Sequence, residues 1–223
     1  MNHPATVKED RTNFVIFHPI PCFILPSLNN PLKSVSIDVG IKNLAIRIEI
    51  RSRSGIQPLY FRKIDLTEFG ENTNKTNGTA AVDPNILEQC NKLIFEILPY
   101  MTDAVFIGIE RQMTDNIKAV RMYQHFISTY LLLIKFGMIN NQVILFDIYA
   151  KLKYTQLGCP TELNTDAKKK WSIVKAKDLL TKRGDAWSLQ VIAENQGKSD
   201  SKGDDLADTV CQMEAWFLLN RIS

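Results

Sequence analysis

The run Ser34-Val35-Ser36-Ile37-Asp38-Val39-Gly40-Ile41-Lys42-Asn43 constrains the fold more than any other stretch. Val35, Ile37 and Val39 alternate with Ser36, Asp38 and Gly40, and a period of two is that of a strand with one apolar face. On the other face stands a single acid in an otherwise uncharged run. A carboxylate placed there loses solvation and needs a metal or a basic partner to compensate it; the alternative is an aspartate that caps a turn. Gly40 permits a tight turn or the close approach of a ligand to the backbone. Leu44, Ile46, Ile48 and Ile50 alternate in the same way, so a second strand follows at once.

Two such strands need a covering layer, and the composition can provide it. The chain has 223 residues, 45% of them hydrophobic, which suits one large domain with a real core. The net charge of +3 is small, so any nucleic-acid footprint must be local. Cys22, Cys90, Cys159 and Cys211 are far apart and have no metal-ligand spacing. They read as free thiols in a reducing compartment, and the expectation is an intracellular protein. His3, His18 and His125 form no cluster, and no apolar run is long enough for a membrane span. Phe14 to Leu28 is apolar but broken by Pro19, Pro21 and Pro26, with Glu9 and Asp10 before it, a poor secretory signal and a poor transit peptide. Residues 1–33 are expected to be an irregular extension, and residues 34–223 the domain.

Downstream, Gln57 to Leu66 reads as a third strand, and the short connections favour an antiparallel meander. Glu71 to Ala81 is a polar loop whose two sequons, at Asn74 and Asn77, are read as chance. Asp83-Pro84 opens a helix that runs to about Pro99. Val105 to Glu110 is a buried strand with a carboxylate at its C-terminal end. A long helix covers about Asp115 to Phe136, and Val143 to Ile148 is a further buried strand that contains Asp147. From Tyr149 to Lys202 the lysines concentrate, and a helix is expected from about Asp166 to Lys182. A basic run of this kind is ordinarily a solvated helix face. The last helix begins at Gly203-Asp204-Asp205-Leu206-Ala207-Asp208-Thr209, with Asp205 and Asp208 three apart and so on one face. One acid suffices to cap a helix; three within five positions repel one another, which favours a cation site.

Four acids thus stand at element ends in apolar surroundings: Asp38, Glu110, Asp205 and Asp208. In an open α/β sheet, sites form beside strand ends, so these four could converge. Oxygen ligands without His or Cys suit Mg²⁺ or Mn²⁺. Two such ions roughly 4 Å apart would clamp the attacking and leaving oxygens of a phosphodiester.

Taken in order, Ile37-Asp38-Val39-Gly40-Ile41-Lys42-Asn43, Ile109-Glu110-Arg111-Gln112, Lys168-Lys169-Lys170-Trp171-Ser172-Ile173 and Asp204-Asp205-Leu206-Ala207-Asp208-Thr209 resemble the RuvC-like Holliday junction resolvases of the RNase H-like superfamily. The likeness is to the poxvirus-type resolvases of large DNA viruses and covers roughly Ser34 to the C-terminus. It implies an α/β, RNase H-like fold: a mixed five-stranded sheet, antiparallel over its first three strands and then parallel, flanked by helices. It also implies a homodimer that cuts branched DNA with two Mg²⁺ ions per active site, Mn²⁺ being able to substitute. Asp38, Glu110, Asp205 and Asp208 would be the metal ligands. Lys170, or in second place Lys153, would be the lysine near the scissile phosphate. Lys42, Arg111, Lys118, Arg121, Lys153, Lys168, Lys169 and Lys170 would contact DNA. Three other readings compete: a related nuclease acting on flaps or RNA–DNA hybrids, an actin-like or sugar-kinase-type ATP-binding protein, and a junction-binding module without catalysis.

Overall fold

Strand β2 (Leu32–Asp38) pairs antiparallel with β3 (Leu44–Ser52), and β3 pairs antiparallel with β4 (Gly55–Ile64), which makes the expected meander. On its other side β2 pairs in parallel with β5 (Phe106–Glu110), and β5 pairs in parallel with β6 (Ile144–Ile148). This is the picture given by a computed structural model that describes residues 14–18, 30–69, 81–112, 116–196 and 203–220. The five expected strands are all present in the expected directions.

The extension differs from the expectation. Phe14–His18 forms a strand, β1, that pairs antiparallel with β6, so the sheet has six strands in the order β1-β6-β5-β2-β3-β4. The physical reason is that β6 would otherwise end the sheet with a row of unpaired backbone groups. An aromatic and β-branched run, Phe14-Val15-Ile16-Phe17, is suited to pair there. The prolines that argued for irregular chain all follow the strand, where their missing N–H groups cost the ladder nothing. The polar loop and its sequons lie outside the described residues.

Alternation sends the strands' two faces to different helical layers. Val35, Ile37, Ile46, Ile48, Ile107 and Ile109 face one core, covered by α1 (Pro84–Ile97) and α2 (Ile117–Lys135). Asp83 caps α1 by accepting from the Asn85 N–H at 2.8 Å, with Pro84 at the first position, as the sequence suggests. The opposite face carries Phe106, Phe146 and Ile148 and is covered by α6 (Asp204–Leu219). Trp216 of α6 is fully buried and stacks on Phe146, ring centroids 4.3 Å apart. Outside α6 lie α3 (Lys151–Gln156), α4 (Thr165–Lys182) and α5 (Ala186–Gln196). Only α4 and α6 of these four were expected. α3 is too short for a legible period, and α5 is wedged between α4 and the β4 edge of the sheet, with Trp187 edge-on to Phe61, so its apolar residues do not keep to one stripe.

Because α6 lies between sheet and helices it is buried nearly all round, and the residues of β3 that face it are sealed too. Arg47, Glu49 and Arg51 occupy alternate positions on that face, at 1%, 2% and 5% exposure. Glu49 accepts from Arg47 and from Arg51, each at 2.5 Å; Arg47 also reaches Asp185 at 2.8 Å, and Arg51 reaches Glu214 at 2.7 Å. A guanidinium over an aromatic ring flanks each end: Arg47 on Phe61 and Arg51 on Phe217. Burial alone would raise the Glu49 pKa, but Arg51 and Arg47 outweigh it and hold the carboxyl well below its ordinary range.

Candidate metal centre

The pairing register decides which carboxylates meet. Ile37 of β2 lies opposite Ile109 of the parallel strand β5, so the next residues, Asp38 and Glu110, leave the C-terminal ends of neighbouring strands side by side. Both then point to the face that α6 covers, since Ile37 and Ile109 point to the other core. Helix α6 begins over this end, and its fifth residue is Asp208. Asp38, Glu110 and Asp208 each offer an oxygen, and these three oxygens lie within 4.8 Å of one another. Asp38 and Asp208 are brought together across 170 positions of sequence.

Their charges are poorly compensated. Burial raises the Asp38 pKa well above the ordinary aspartate range, and the Glu110 and Asp208 carboxylates push it the same way. Burial likewise lifts Glu110, against the pull of Lys153, to about 7. Lys153, on α3 and 1% exposed, donates to Asp208 Oδ2 at 2.5 Å and lies 3.7 Å from Glu110 Oε2. Burial opposes its charge, yet Asp208 and Glu110 dominate and hold the ammonium well above the usual lysine range. The other oxygen of Asp208, Oδ1, is buried without a hydrogen-bond partner. An orphaned carboxylate oxygen within a set of three acids fits a hard divalent cation, which takes oxygen ligands.

The fourth expected ligand stands apart. Asp205 accepts from Lys63 of β4 at 2.7 Å and is not in the group of three, although its charge still helps to raise the Asp38 pKa. Burial raises its own pKa, and the Lys63 hydrogen bond opposes that. Asp204 pairs instead with Lys169 at 3.3 Å. Of the two lysines considered for the scissile phosphate, Lys170 is exposed on α4 and Lys153 is the one inside the acid group. The resemblance points to Lys170 first and to Lys153 second; burial of α3 brings Lys153 in among the acids, and no local pattern marks it.

The expected DNA contacts divide by place. Lys42 is exposed in the β2–β3 turn, Lys170 is exposed on α4, and Arg121 is exposed on α2 beside a groove against α1. Lys118 is half-buried in the first turn of α2, and Lys168 lies over the Tyr154 ring. Arg111 is committed elsewhere: its guanidinium grips both oxygens of Asp147, at 2.5 and 2.7 Å, and lies 3.8 Å over the Tyr149 ring. Tyr123 donates to the same carboxylate at 2.5 Å. Asp147, the acid noted inside β6, therefore clamps the segment just beyond Glu110. Gln212 was missed altogether. It sits one turn beyond Asp208 and donates from Nε2 to Glu110 Oε2.

The placement of Lys153 has a measurable consequence. Lys153→Met leaves the carboxylates without their ammonium, so the unfolding temperature in chelator should drop. Adding Mn²⁺ should then raise it by more than it does in the wild type, because the cation relieves a larger repulsion. Equal Mn²⁺-induced shifts in the two proteins, read by thermal unfolding, would place the lysine outside the cation's field.

No family model matches the chain. An uncharacterized protein, 97L of Invertebrate iridescent virus 3, is 31% identical over 117 residues, covering 52% of this chain and 50% of that protein. The chain thus spans about half the length of this relative. Among solved structures, the yeast mitochondrial Holliday junction resolvase Ydc2 superposes with a TM-score of 0.55 at 17% identity, over 85% of this chain and 81% of that one. RuvC of T. thermophilus, solved with a Holliday junction substrate, gives 0.51 at 11% identity, over 86% and 96%. The Fowlpox virus resolvase, solved with its junction DNA, gives 0.50 at 15% identity, over 86% and 100%. The fold is therefore the RNase H-like α/β fold that these resolvases share.

Proposed function

We propose that this protein is a metal-dependent endonuclease that resolves four-way DNA junctions. The observation that carries the reading is the meeting of Asp38, Glu110 and Asp208 at the C-terminal ends of β2 and β5, with the orphaned Asp208 Oδ1 among them. It gains weight from the fold, since two similar structures were solved with Holliday junction DNA. Asp38, Glu110 and Asp208 would hold Mg²⁺ or Mn²⁺, and Asp205 would join them if it left Lys63. A pair of such ions supplies an activated water and stabilises the leaving oxygen of a phosphodiester.

The residues of the chain do the rest. Asp38 and Glu110, fixed by strand pairing, set the axis along which a phosphate is presented. Lys153 is a fixed positive charge within the site, poised to stabilise charge that develops on the phosphate oxygens. Lys42, Lys168 and Lys170 would grip backbone phosphates, which gives affinity that falls with salt. Selection of a branch point would come from DNA shape rather than base edges. A homodimer fits this reading, because a two-fold junction is cut at two symmetry-related strands.

Purified protein incubated with Mg²⁺ and a four-way junction, a flap or an RNA–DNA hybrid separates the readings. Paired symmetric nicks in the junction, lost in EDTA and regained with Mn²⁺, are the expected result. Preferred cutting of the flap or hybrid would move the assignment to another RNase H-like nuclease. Binding of ATP with no nuclease activity on any of the three would overturn it. Among the described residues no helix is long and apolar enough to cross a membrane.

A further inference from the structure

Gln212 is a fully buried amide on α6, between Cys211 and Met213 and one turn from Asp208. An amide in such surroundings is destabilising unless its hydrogen bonds are made. The side chain makes them to two strands of the sheet. Its Nε2 donates to Glu110 Oε2 at the end of β5, and its Oε1 accepts from Ser36 Oγ of β2, a long contact at 3.5 Å. Ser36 is buried as well and lies two residues before Asp38 on the same face of β2. One side chain therefore ties the helix that carries Asp208 to both strands that carry Asp38 and Glu110. Lys153 approaches the same Oε2 of Glu110, so both contacts converge on one oxygen of that carboxylate.

We propose that Gln212 is a positioning residue for cation capture: it sets the Glu110 side chain and the height of α6 so that three carboxylates present their oxygens to one ion. The inference rests on the metal-dependent reading above. A merely structural amide would affect folding and leave ion affinity alone, whereas a strut that aims a ligand affects affinity first. Outer hydrogen bonds to metal ligands typically change affinity by about 10–100-fold when removed.

The test is Mn²⁺ titration by calorimetry on the full chain as wild type, Gln212→Met and Ser36→Ala, with thermal unfolding of each in EDTA. Methionine keeps the length and removes both hydrogen bonds. Gln212→Met should weaken Mn²⁺ binding about 10–100-fold while its unfolding temperature in EDTA stays close to that of the wild type. Ser36→Ala removes only the far anchor and should weaken binding in the same direction by less. It carries the test should Gln212→Met not fold. Unchanged Mn²⁺ affinity in the folded variants, or a lower unfolding temperature with no change in affinity, overturns the strut. Absence of Mn²⁺ binding by the wild type overturns the metal-dependent reading itself, so the two failures are told apart.

Discussion

Asp38→Asn should abolish strand cutting, leave junction binding in place and raise the unfolding temperature in chelator. The three effects have one source. Asp38 is an anion that burial and two neighbouring carboxylates oppose, so its folded-state pKa lies above its unfolded one. Such a group takes up protons on folding, and the stability it permits falls as pH rises from the ordinary aspartate range toward its raised folded pKa. Asparagine has nearly the same shape and no charge, so near neutral pH the variant escapes that loss. The same neutralisation removes a proposed cation ligand, for which a loss of more than about 100-fold in cutting is expected. Binding is expected to survive because, Lys153 apart, the lysines proposed to contact backbone phosphates lie outside the acid group. Nicking assays, a gel-shift titration and unfolding in EDTA measure the three. Cutting at the normal rate would remove Asp38 from the site. A lower unfolding temperature would mean that the carboxylate is paired by a cationic group that outweighs its repulsion.

Arg47→Ala should cost about 3–5 kcal/mol, a third or more of the stability of a typical domain. Arg47 is 1% exposed and bridges Glu49, Asp185 and Ser188, binding the last two from the α5 side of the second layer. Its removal leaves Asp185 without its guanidinium and Glu49 with Arg51 as its remaining partner. The cost is that of stranding buried charges, not the net worth of the pair. The acid limb supplies a second check. Because the folded pKa of Glu49 is depressed, its contribution is complete above the ordinary glutamate range and is lost as pH falls toward the folded value. Losing Arg47 should make that depression smaller and move the acid loss of stability to higher pH. Urea unfolding at several pH values reads both. A cost below about 1 kcal/mol at pH 7 would show that solvent reaches the network.

Much of this molecule is local in origin. The alternation in β2 and β3, the apolar runs of β5 and β6, the Asp83-Pro84 start of α1 and the acids closing β2 and β5 are each visible within ten residues, because period and capping are short-range effects. The features that were not visible depend on what covers what. Arg47, Glu49 and Arg51 alternate with apolar residues as any half-exposed strand does, and only the helices lying across them, α6 and the start of α5, make them interior. Lys153 belongs to a helix of six residues with no period to read. β1 follows a polar tail and precedes three prolines, and it is a strand because β6 offers it an unpaired edge.

By itself the sequence determined an α/β sheet with carboxylates at the ends of β2 and β5 and at the start of a late helix, since strand period, breakers and charge all act over a few residues. Only the tertiary structure decided which of those acids share a pocket. The parallel register of Ile37 against Ile109 and the placement of α6 put Asp208 beside Asp38 and Glu110. They leave Asp205 to Lys63, and they bring in Lys153 and Gln212. Register and helix placement come from packing two cores at once, which no window of sequence contains.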